Sequence, residues 1–246
     1  MALPITCYNL VNIVIYKSQN VIVIITLTTI WEGESMQYIS GFSILRISEW
    51  ILKLLYLNFL FIAFSFLGIL IIGIFPAIAA MLTVIRKWLM GDTEIPIFKT
   101  FWQSYKKDFL RSNLLGFIMT FIGLTIVLYY IFLNQSLGES MLWLRYPLLM
   151  ISFVYILFLF YVFPVFVHYD LKIVRILKTT LFIMSVSPLS TIMMIAGCII
   201  IYFTISYYPG LAPLFGGSLT GFMIMWSSYL AFSNVKRRHE EATSQN

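Results

Sequence analysis

Thr179–Val235 reads TTLFIMSVSPLSTIMMIAGCIIIYFTISYYPGLAPLFGGSLTGFMIMWSSYLAFSNV and contains no Asp, Glu, Lys or Arg. An apolar helix of about 20 residues is long enough to cross a bilayer. This stretch therefore holds two crossings, divided at Tyr207-Tyr208-Pro209-Gly210. Three other blocks are equally free of charge: Leu54–Ile85, Leu114–Gly138 and Tyr146–Val167. Charges are confined to the strips between them, so the chain reads as an all-α, polytopic helical membrane protein.

Composition agrees. The chain is 61% hydrophobic, 17% aromatic and 11% charged, against about 25% charged in soluble domains. The net charge of +6 does not call for nucleic acid, because Lys and Arg gather beside apolar spans where retention on the cytoplasmic side accounts for them. Cys7 and Cys198 offer neither a disulfide framework nor metal-ligand spacing.

Residues 1–35 form a segment of their own. Lys17-Ser18-Gln19-Asn20 interrupts its apolar runs, and it lacks the order of a signal peptide. Trp31-Glu32-Gly33-Glu34 back-translates to a purine-rich tract shortly before Met36. The expectation is that 1–35 is a leader upstream of a start at Met36 and that 36–246 is a single membrane domain. A genuine N-terminal extension lying on the membrane is the alternative.

Five full spans follow: Leu54–Ile72, Asn113–Leu133, Tyr146–Val167, a stretch from Pro188 to Tyr207, and Leu211–Phe232. A short Pro-led segment, Pro76–Leu89, carries Arg86 and Lys87 near its end. It either turns back across the membrane, giving six segments with both ends inside, or forms the tail of a kinked first span, giving five with the N-terminus outside. With the turn, every Lys and Arg from Met36 onward except Arg145 becomes cytoplasmic, so the positive-inside rule favours it. The C-terminus is cytoplasmic in both arrangements.

The richest local pattern is Phe98–Phe109. Phe98, Phe101, Trp102, Tyr105 and Phe109 recur at helical spacing, with Lys99, Gln103, Lys106 and Lys107 opposite. Such a cytoplasmic amphipathic helix suits an anionic leaflet or a partner's groove. Phe98, Phe101, Trp102, Tyr105, Lys106, Lys107 and Phe109 are the candidate interaction residues. Ser112-Asn113 is expected at the junction with the next span. Leu171–Ser187 repeats the arrangement with Lys172, Arg175 and Lys178, before Pro188.

Little in the spans can carry chemistry. They hold no ionisable group of the kind that marks proton relays or ion paths. Their polar set is Asn58, the Ser185–Thr191 cluster, Ser218, Thr220, Ser227 and Ser228, which suits helix–helix hydrogen bonds. Gly217 and Gly221 form a small-xxx-small pair. His168 and Asp170 stand two apart and would not face each other on a helix. No catalytic, cofactor-binding or metal-binding residue is assigned, and an enzyme is not expected.

Gly73-Ile-Phe-Pro-Ala-Ile-Ala-Ala-Met81, Val84-Ile-Arg-Lys-Trp-Leu-Met-Gly91, Phe98-Lys-Thr-Phe-Trp102 and Tyr105–Gly116 together resemble the YesL-like family. These are bacterial membrane proteins classed as a domain of unknown function. The resemblance runs from about Ile39 to Phe232. It implies a small helical protein of the bacterial cell membrane, associated with carbohydrate uptake, and supplies no catalytic residues. The functional expectation is an accessory or regulatory component beside a sugar ABC transporter or membrane sensor. A small transporter or channel for a neutral solute, with broken segments at Pro76 and Pro188, is the alternative.

Overall fold

The computed structural model describes residues 47–68, 72–136, 143 and 145–244. The expected leader 1–35 and the start at Met36 lie outside them. Among the described residues all regular structure is helical: α1 Ile47–Leu67, α2 Ile74–Leu89, α3 Ile97–Lys107, α4 Phe109–Ser136, α5 Arg145–His168, α6 Ile173–Val186, α7 Pro188–Tyr207, a 3-10 turn Pro209–Leu211 and α8 Ala212–Ser244.

Four of these, α1, α4, α5 and α7, are long and apolar enough to cross a membrane. The protein is an all-α helical membrane protein. Of α5's apolar window 39% is buried inside the protein, against 17% for α4, so α5 is the more central of the two. The exposed apolar side chains of α4, such as Leu114, Phe121 and Leu128, suit hydrocarbon.

The organising element is α2, with 16 residues, or about 24 Å at 1.5 Å each. Ala77, Ala79, Ala80, Leu82, Val84 and Ile85 are all buried, and the helix packs against α3, α4, α5 and α8. Its small residues let those neighbours approach. Gly91 follows α2 with φ 102°, a left-handed conformation that costs glycine little, and turns the chain back into α3.

Both ends of α2 lie against the last six residues of α5. Phe75 stacks on Phe163 (centroids 6.3 Å, planes 7° apart), and Arg86 Nη1 donates to the Val167 carbonyl at 2.9 Å. The two ends of the Pro76 segment thus share one neighbour, the C-terminal end of α5.

Within α1, Asn58 is the polar anchor. It is 1% exposed; its Nδ2 donates to the Pro213 carbonyl at 2.7 Å, and its Oδ1 accepts from the Ser218 backbone N–H at 3.0 Å. Both partners lie at the start of α8. A Cβ on Gly217 would lie 2.8 Å from Asn58 Oδ1 and 3.0 Å from the Phe61 ring, and one on Gly221 would lie 2.7 Å from Met81. The small-xxx-small pair thus serves close packing within the chain.

The junction before α4 falls at Asp108, four residues earlier than the Ser112-Asn113 expectation. Those two side chains instead bond back to the Phe109 carbonyl at 3.3 and 2.8 Å. An Asn side chain does this readily inside a helix, so its presence alone does not locate a cap. The second junction, Ser187-Pro188, lies where Pro at the first helical position places it.

Asn58→Ala is expected to lower stability by roughly 1–2 kcal/mol, and Gly217→Ala to destabilise through contact with the same oxygen. In the double variant the Gly217→Ala cost should shrink, because that oxygen is gone. Thermal unfolding in detergent measures the cycle; strictly additive costs would contradict the bridge.

Candidate functional site at the basic end

The candidate helix α3, packed along α2, also meets one ring of α1. Phe64, 7% exposed, lies with its centroid 5.2 Å from Phe101, 5.3 Å from Trp102, 5.2 Å from Tyr105 and 6.3 Å from Phe98. The Tyr105 hydroxyl donates to the Phe64 carbonyl at 3.3 Å, and burial pushes its phenol pKa up. The Tyr105 ring continues to Phe109 at 5.7 Å.

The aromatic face expected to meet a partner is therefore divided. Phe101 is fully buried and Tyr105 is 7% exposed, whereas Phe98 (51%) and Trp102 (36%) face outward. Helical spacing sorts the remainder into stripes. Phe98, Trp102 and Lys106 form one, with the Lys106 ammonium 4.2 Å from the Trp102 ring. Lys99, Gln103 and Lys107, all exposed, form another. Phe64, Leu67, Gly68, Phe98, Trp102, Tyr105 and Phe109 line an open groove of about 480 Å³.

Beside the C-terminal end of α3 is a charged cluster. Arg111 Nη1 donates to Asp170 Oδ1 at 2.7 Å and Nη2 to the Leu171 carbonyl at 2.8 Å, fastening α4 to the connection between α5 and α6. The Arg111 hydrogen bond and charge hold the Asp170 carboxyl below its usual range. Asp108 shifts the other way: burial raises it, opposed by Lys107 and Arg111. His168 turns elsewhere, its ring 4.5 Å from Phe232 and 4.7 Å from Tyr169, so His168 and Asp170 form no pair. Among the described residues no three His, Cys, Asp or Glu come together as a metal site.

The family model described as "Protein of unknown function, DUF624" matches residues 54–130. Three Bacillus subtilis (strain 168) proteins, each described as uncharacterized, are similar over most of their lengths. YteU is 38% identical over 80% of this chain and 88% of its own. YesV is 34% identical over 79% and 93%, and YesL is 34% identical over 78% and 90%. The chain belongs to the YesL-like DUF624 family. No solved structure matches it.

The matched residues of this YesL-like chain include α2, α3 and Phe64. Phe64 could not be singled out by sequence, since it is one apolar side chain among many in a charge-free span. The Arg111–Asp170 pair had a fainter signal: two opposite charges, 59 positions apart, each flanking the same end of a span.

Phe64→Ala or Phe101→Ala is expected to cost about 3–5 kcal/mol and to lower membrane abundance; Trp102→Ala, partly exposed, should cost clearly less. At pH 7 Asp170→Asn should destabilise, whereas Asp108→Asn should be neutral or stabilising. The signs follow from linkage. A depressed carboxyl contributes stability above its unfolded pKa and loses it as pH falls through the folded one. A raised carboxyl contributes below its unfolded pKa and loses this as pH rises. Both differences should shrink as pH falls below about 4, the ordinary Asp range; thermal midpoints across pH 3–7 provide the check.

Proposed function

We propose that this protein is a non-enzymatic accessory or regulatory component of a membrane uptake system in the bacterial cell membrane, with its basic end and C-terminus in the cytoplasm. One observation carries the reading: α3 is fixed to the fold by Phe64, Phe101 and Tyr105 while Lys99, Gln103 and Lys107 stand outward at four-residue spacing. A helix so immobilised binds without first paying the entropy of ordering itself. Its partner is a permease or membrane sensor bearing acidic groups, and the link to carbohydrate comes from the association that the family resemblance implies.

The use of polar groups within the spans supports this reading. Asn58 joins α1 to α8, the Tyr161 hydroxyl lies 3.0 Å from Thr191 Oγ1, and the Tyr155 hydroxyl donates to the Met119 carbonyl at 2.6 Å. These groups are engaged in holding helices together. A cytoplasmic basic end agrees with Arg86 in the last turn of α2, Arg111 in the first turn of α4 and Lys172 just before α6.

Purification in mild detergent is expected to recover a permease or sensor with the wild type and to lose it with the Lys99→Glu, Gln103→Glu, Lys107→Glu triple variant at equal membrane abundance. Recovery of intact protein without such a partner, or with it equally in both, would overturn the docking reading. Side is tested separately: in a Cys7→Ser, Cys198→Ser background, Ser244→Cys should resist an impermeant maleimide in intact cells and label after lysis.

A further inference from the structure

We infer that the groove between the end of α1 and α3 holds one anionic phospholipid, an acyl chain on its aromatic floor and the headgroup phosphate at Lys106. The floor is apolar: Phe64, Leu67, Phe98, Trp102 and Phe109 supply it, and the one hydroxyl among its walls, Tyr105, already donates to the Phe64 carbonyl. At about 480 Å³ the groove falls within the usual range of ligand sites, roughly 300–1,000 Å³. It lies where α1, a helix apolar enough to span, reaches the basic end. A lipid in the adjoining leaflet is thus the amphiphile at hand.

Charge selects the headgroup. Lys106 lies over the Trp102 ring at 4.2 Å and forms no ion pair with a described carboxylate. Trp102, which lines the groove, holds the ammonium against its ring without neutralising it, so a phosphate diester with a net negative headgroup completes it. Asp108 and Asp170 interact with Lys107 and Arg111 instead. This site uses the Phe98–Trp102–Lys106 stripe and is independent of the outward Lys99–Gln103–Lys107 stripe.

The test is native mass spectrometry of delipidated full-length protein in detergent, titrated with phosphatidylglycerol or phosphatidylcholine of matched chains. One phosphatidylglycerol per protein should be retained in preference to phosphatidylcholine. Lys106→Gln should weaken that retention about fivefold, the share of one lysine near an anionic headgroup, with an unchanged thermal midpoint, because Lys106 is exposed. Leu67→Trp, at a position 74% exposed, should fill the groove and abolish retention of both lipids. Should Leu67→Trp fail to fold, Lys106→Gln and Trp102→Ala decide. Equal retention of the two lipids, or retention unaltered by Lys106→Gln and Trp102→Ala, would mean annular lipid only and overturn the site. A crosslink from Trp102 to a protein, with no lipid retained, would overturn it as well.

Discussion

A helix of 16 residues is about 24 Å long, short of a hydrocarbon core of about 30 Å. Left by itself at the membrane it would present helix termini whose carbonyls and N–H groups have no intrahelical partner. The protein handles this constraint by surrounding α2 with four other helices. Arg86 reaches the Val167 carbonyl, Gly91 turns the chain immediately, and α3 lies back along α2. The burial of α2 thereby sets the position of α3, and α3 carries the candidate site.

The same constraint governs the polar groups of the spans. In hydrocarbon an unsatisfied donor or acceptor costs several kcal/mol. Asn58 meets both of its obligations on the backbone at the start of α8, where Gly217 leaves space for it. Ser65, Thr83, Thr120 and Thr220 bond back to carbonyls four residues earlier. These interior polar groups of this YesL-like protein thus serve its architecture. Its available chemistry, charged and aromatic, collects at the basic end around α3, Arg111 and Asp170.

That concentration bears on function. The surface helix α3 combines a basic outward stripe, an aromatic groove and one lysine over a tryptophan, the features on which the proposed recognition rests. The two stripes of α3 lie on different faces of the helix, because successive fourth residues share a face.

The all-helical, membrane character of the chain was legible in the sequence because charge is so costly in hydrocarbon that its absence marks apolar helices, although four described helices, not the five full spans expected, are long and apolar enough to cross. The same logic marked Phe98–Phe109 as an amphipathic helix and gave the Ser187-Pro188 junction. Charge patterning did not reveal where the short Pro76 segment lies, since that depends on which helices wrap it. Nor did it separate Phe101 and Tyr105 from Phe98 and Trp102: the residue types are alike, and only the position of Phe64, 34 residues before Phe98, decides which rings are covered. Sequence by itself determined the solvent of each segment, a property of the residue. Tertiary structure alone decided the neighbours of each ring and charge, a property of the packing between helices.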